Sequence, residues 1–142
     1  MNAIVVGTDG SPGAEAAVQK VIELAGGDGA PTVHVVCAYP SKSALERLGM
    51  TAKQDPVNMR GVAADLLARA ERRLTEAGFD VEKYAREGDP APTIIAVAEE
   101  TGADLIVVGA HGNPGDRRFH IGSTATKLAH HSPASLLIVR EG

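Results

Sequence analysis

The chain has 142 residues, 44% of them hydrophobic and 23% charged, with a formal net charge of −4. That is one domain's worth of an ordinary globular composition. The acidic balance and scattered basic residues argue against nucleic acid as a partner, and no apolar run approaches the length of a membrane span.

The opening MNAIVVGTDGS lacks a basic stretch followed by a long apolar one, so no signal peptide is expected. Two Phe, two Tyr and no Trp leave an aliphatic core. The lone cysteine, Cys37, cannot form an internal disulfide, and a cytoplasmic location is the expectation. Within its apolar run it reads as a small core residue.

The elements alternate. AIVVGT (3–8) is a short β-branched run, read as a buried strand. SPGAEAAVQKVIELA (11–25) follows as a helix, with Ser11 as N-cap, Pro12 in its first turn, and Ala14, Val18, Val21 and Ala25 on one face. Gly26-Gly27 stops it. TVHVVCA (32–38) is a second strand. Residues 39–60 are polar and interrupted by Pro40 and Pro56, and read mostly as loop, either a lid or a loose surface insertion. GVAADLLARAERRLTEAG (61–78) reads as a helix with Val62, Leu66, Ala70 and Leu74 on its apolar face. VEKYAR (81–86) alternates as an edge strand does. GDP (88–90) turns the chain into a helix over 91–102. ADLIVVG (103–109) is the clearest buried strand, STATKLAHH (123–131) a short helix, and SLLIV (135–139) the last strand.

Helices between strands imply parallel pairing and right-handed crossovers. The expected fold is α/β: one domain, 1–142, an open five-stranded parallel sheet with helices on both faces. If the first three strands wind outward and the chain then crosses back, the order is 3-2-1-4-5. Ligands bind beyond the carboxyl ends of such strands, where the winding reverses. There Thr8-Asp9-Gly10 would face Gly109-Ala110-His111-Gly112.

The segment GAHGNPGDRRFHIGST (109–124) is thus the candidate binding loop. Gly109 and Gly112 permit close backbone approach. Gly122-Ser123 opens a helix whose first N–H groups and partial positive charge suit an anion. The residues alone leave a second reading open, in which the glycines merely turn a loop and Ser123 merely caps a helix. The P-loop pattern and the dinucleotide Gly pattern are both absent.

The spacing Gly109, two residues, Gly112, nine residues, Gly122-Ser123 resembles the nucleotide-binding signature of the universal stress protein family. IVVGTDGS (4–11), EGDPAPTIIAVAEETGADLIVVGAHG (87–112) and GSTATKLAHHSPASLLIV (122–139) also resemble that family. The resemblance implies a Rossmann-like, ATP-binding member acting as a nucleotide sensor in a stress response. By it, Asp9 contacts the ribose or a phosphate-bound cation, and Thr8 and Ala38 line the adenine slot. Val108 and Gly109 hold nucleotide through backbone, and His111, Gly112, Gly122, Ser123 and Thr124 surround the phosphates. Arg117, Arg118 and His120 are either further phosphate contacts or solvated. The resemblance also implies a homodimer through the last strand, 135–139, whose open apolar edge would otherwise be a hazard; a downstream protein partner is not identified by the sequence.

The alternatives are a slow ATP hydrolase and a cyclic AMP-binding protein. No residue is spaced as a base oriented by a second group, so no catalytic residue is assigned. In TDGS the nucleophile position of a haloacid dehalogenase-like motif is Gly7, which excludes that chemistry. His130-His131 lacks the helical spacing of a metal pair and no protein-held metal is expected. Mg²⁺ would arrive with the nucleotide, held by phosphates and one carboxylate.

Overall fold

In the computed structural model, residues 1–47, 49, 56–111 and 121–141 are described. The elements are β1 (Ala3–Gly7), α1 (Pro12–Ala25), β2 (Thr32–Tyr39), α2 (Lys42–Arg47), α3 (Pro56–Glu76), β3 (Val81–Glu87), α4 (Pro90–Thr101), β4 (Leu105–Gly109), α5 (Ser123–His131) and β5 (Ser135–Val139). The strands form one sheet of order β3-β2-β1-β4-β5, and every pairing is parallel. This is the expected order.

The inner strands β1, β2 and β4 are largely apolar in both directions because each face of the sheet is covered, whereas the edge strand β3 carries exposed Glu82, Lys83 and Glu87. Ala17, Val18 and Val21 of α1 and Ala63, Leu67, Ala70 and Leu74 of α3 pack with Ile4, Val6, Val33 and Val35. Ile94, Val97 and Ala98 of α4 and Ala125 and Leu128 of α5 pack with Val5, Val36, Ile106 and Val108 on the other face. The helices change face where the chain crosses from β3 to β4. Right-handed crossovers require that change when the direction of winding reverses. Strands β1 and β4 are therefore neighbours whose following loops diverge, and a crevice opens at their carboxyl ends.

Three expectations are corrected. Residues 39–60 are not mostly loop: β2 runs through Tyr39, and α2 and the start of α3 fall inside the segment. Ser41 starts α2, its hydroxyl accepting from the Ala44 N–H at 3.1 Å and its carbonyl from the Leu45 N–H at 2.9 Å. Pro56 opens α3 rather than breaking a loop, since a helix tolerates proline in its first turn.

The buried face of α3 is Ala63, Leu67, Ala70 and Leu74, whereas Val62 is 53% exposed and Leu66 half-buried. A stripe built only from steps of four drifts around a helix of 3.6 residues per turn, and alternating steps of four and three hold the face.

β4 begins at Leu105, not Ala103. Asp104 is instead a clasp, its carboxylate accepting from the N–H groups of Asn2 at 2.7 Å and Ala3 at 3.0 Å. The Ala3 and then the Asn2 hydrogen bond hold its pKa below the usual carboxylate value.

Candidate functional site

The turn after β1 is built by short side chains that bond their own backbone. The Thr8 N–H donates to the Val36 carbonyl at 2.9 Å, tying the loop to the end of β2. The Gly10 N–H donates to Thr8 Oγ1 at 3.2 Å, and the Ser11 N–H to Asp9 Oδ1 at 2.9 Å. Ser11 Oγ then caps α1 by accepting from the Ala14 N–H at 3.2 Å, the N-cap role expected of it. Gly10 has φ +77°, which favours glycine, and a Cβ there would meet only the movable end of the Leu66 side chain of α3, at 2.5 Å from Cδ2. The outcome is an exposed Asp9 side chain on a fixed turn.

The far wall is the end of β4 and the start of α5. The Ala110 N–H donates to the Val139 carbonyl at 2.8 Å, and the Gly122 N–H donates to the Ala110 carbonyl at 2.6 Å. The chain thus leaves and re-enters the site at one point, Ala110. Gly122 is the N-cap of α5 with no side-chain cap. A Cβ on it would sit 3.0 Å from the Ala110 carbonyl oxygen and 3.4 Å from His111 Cα. An uncapped helix start of this kind presents N–H donors and the positive end of the helix dipole.

Between these walls lies a cavity of about 570 Å³, within the size range of small-molecule sites. Thr8, Asp9, Ala38, Val108, Gly109, His111, Gly122, Ser123 and Thr124 all line it. Residues named from four separated stretches of sequence are therefore brought together. Gly112, and with it Arg117, Arg118 and His120, lies outside the described residues.

The wall has two chemical characters. Val36, Ala38, Pro90, Ala91 and Ile94 make an apolar stretch beside Asp89, where β2 and β3 end and α4 begins. Ser123, Thr124 and Lys127 come from α5. Sequence reasoning missed Asp89 and Lys127. Lys127 was legible in principle, because it stands four residues after Ser123 on the same helix. Among the described residues it has no hydrogen-bond or ion-pair partner.

Cys37, behind the Val36–Ala38 wall, is 4% exposed. Burial, and secondarily the Asp9 carboxylate, pushes its thiol up to about 11. It is a packed core group, not a nucleophile. No group of three or more His, Cys, Asp or Glu among the described residues could hold a metal ion.

A second cavity, of about 590 Å³, lies between α1 and α3 and carries Arg69, Arg72 and Arg73. Arg69 is already bound to Glu15 at 2.8 Å, and Arg73 to Gln19 at 2.6 Å, so its cations are partly satisfied within the fold.

Residues 1–140 match the sequence model of the universal stress protein family. The chain belongs to that family. It is 30% identical over 139 residues to a universal stress protein of Mycobacterium tuberculosis, covering 96% of this chain and 94% of that one. Among solved structures it is similar to a universal stress protein in complex with cAMP, with a TM-score of 0.74 and 28% identity over 99% of this chain and 98% of that one. A family protein from Arabidopsis thaliana with AMP bound aligns with a TM-score of 0.72 over 100% of this chain and 93% of that one. At 12% identity that likeness speaks for the fold alone. Among the described residues no helix is long and apolar enough to cross a membrane.

Proposed function

We propose that this universal stress protein binds an adenine nucleotide, ATP with Mg²⁺, in the cavity between β1 and β4, and acts as a regulatory sensor rather than as a dedicated enzyme. The observation that carries the reading is the convergence of Thr8, Asp9, Gly109, His111, Gly122, Ser123 and Thr124 on one cavity at the point of winding reversal. The apolar stretch of Val36, Ala38 and Ile94 suits a base. The start of α5, with Lys127 one turn in, suits phosphates. Asp9 keeps one carboxylate oxygen on the Ser11 N–H and has a second to offer a phosphate-bound cation. The family's cAMP complex supports an adenine ligand.

That same relative favours a second reading, in which cyclic AMP is the preferred ligand. The uncapped α5 start supports the triphosphate, which reaches further along the wall. The reading assigns no catalytic residue, and any turnover is slow. Binding is read out through one family domain, 1–142, in a cytoplasmic homodimer paired along β5. Calorimetric titration with Mg·ATP and with cyclic AMP tests the reading. Micromolar ATP binding supports it, tighter cyclic AMP binding transfers it to the second ligand, and binding of neither overturns it.

A further inference from the structure

The least explained group in the cavity wall is Asp89. It holds the N-cap position of α4, yet its side chain makes no cap hydrogen bond. Its backbone does the structural task. The Asp89 carbonyl accepts from the Thr93 N–H at 3.2 Å and from the Thr93 hydroxyl at 2.6 Å. The preceding residue is pinned as well, the Gly88 N–H donating to the Tyr39 carbonyl at 2.8 Å. The residue is thus held in place at the ends of β2 and β3 while its carboxylate has no hydrogen-bond or ion-pair partner among the described residues. An aspartate at an N-cap ordinarily spends its oxygen on the helix. Here the exposed carboxylate faces solvent and is accessible to a ligand.

The surroundings narrow what that is. Asp89 borders the apolar stretch of Ala38, Pro90, Ala91 and Ile94. A carboxylate repels phosphate, so the anionic end of a nucleotide belongs toward α5, where Lys127 stands. A flat base then occupies the apolar stretch, with its edge toward Asp89. A carboxylate accepts hydrogen bonds and donates none, so it recognises an N–H donor on that edge. From this unpartnered carboxylate beside an apolar slot, we infer that Asp89 reads the exocyclic amine of the bound base and sets base specificity. The inference rests on the nucleotide reading above.

The test compares Mg·ATP with the Mg²⁺ complex of purine riboside triphosphate, which lacks the exocyclic amine, by calorimetry on the full chain. A charge-assisted hydrogen bond predicts that wild type prefers ATP by about tenfold to a hundredfold. In Asp89→Ala the ratio of the two dissociation constants falls to about one. Asp89→Asn keeps an acceptor oxygen without the charge and gives an intermediate ratio. A preference that is the same in wild type and Asp89→Ala overturns the role of Asp89 and leaves the nucleotide site standing. A ratio of one in wild type overturns it as well. Failure of wild type to bind either compound overturns both readings together. Asp89 is exposed and its side chain holds nothing in the fold, so a lost preference in a protein with the wild-type circular dichroism spectrum reports on recognition.

Discussion

Gly13 and Gly109 meet backbone to backbone: a Cβ on Gly109 would lie 2.5 Å from the Gly13 carbonyl carbon and 2.6 Å from its oxygen. The first turn of α1 therefore rests directly on the end of β4, and this contact sets the gap between the two walls of the cavity. The obstacle to any larger residue is main chain, not the flexible end of a side chain. Gly109→Ala is accordingly an overpacking change, expected to cost about 1–3 kcal/mol and to lower Tm by about 3–10 °C. Thermal unfolding followed by circular dichroism measures it, and an unchanged Tm would show that α1 shifts freely.

Gly122→Val addresses the other wall. The space above Gly122 is already limited by the Ala110 carbonyl at 3.0 Å from a would-be Cβ, and two further methyl groups project from the start of α5 over the phosphate position. The expected result is a loss of ATP affinity of tenfold or more, about 1.4 kcal/mol, in a protein that keeps its circular dichroism spectrum. Undiminished affinity in a folded variant would remove Gly122 from the site.

Lys127→Ala removes an exposed cation from the same wall. A pair between an exposed cation and phosphate is modest and screened by salt, so the expected loss is about twofold to fivefold at low ionic strength and less in high salt. The loss shrinks as phosphates are removed from the ligand. Equal losses for ATP and adenosine, measured by calorimetry, would place Lys127 elsewhere.

Cys37 gives a pH signature. Its thiol is pushed by burial, and then by Asp9, from an ordinary 9.0 to about 11. The folded value is the higher one, so the linked stability is complete below the unfolded value and is lost as pH rises through the folded value. Denaturant unfolding between pH 8 and pH 11 should show a fall that Cys37→Ala lacks. Alkylation at pH 8 should be about a hundredfold slower in the native protein than in the unfolded chain. A native thiol that reacts at the unfolded rate contradicts the buried placement.

β5 ends the sheet, with β4 on one side, and its Leu136, Leu137 and Ile138 are only half-buried. Pairing across a two-fold axis would cover that edge. Leu137→Lys is expected to shift sedimentation from dimer toward monomer, and an undisturbed dimer would exclude β5 as the contact.

The parallel α/β class was legible because long apolar runs alternate with helical patterns, whereas the strand order, and with it the position of the crevice, rested on the supposition that the first three strands wind outward, which spacing alone does not fix. The edge role of β3 was legible in the alternation of Val81–Glu87. The start of α3 was not, since Pro56 reads as an interruption until the helix behind it is seen. Nor was the Gly13–Gly109 contact, which joins residues far apart in sequence and leaves no local pattern. Asp89 was hidden for a different reason. Gly88-Asp89-Pro90 reads as a turn followed by a cap, and only the structure shows that the carbonyl caps while the carboxylate does not.

The central claim is that nucleotide enters the cavity between β1 and β4 and not the arginine-lined one between α1 and α3. Titrating isotope-labelled protein with Mg·ATP and following backbone amide chemical shifts tests this directly. The account predicts the largest shifts at Thr8, Asp9, Ala38, Asp89, Gly109, His111 and Ser123 through Lys127. Shifts concentrated at Gln19, Arg69, Arg72 and Arg73, or no saturable shifts at all, would contradict it.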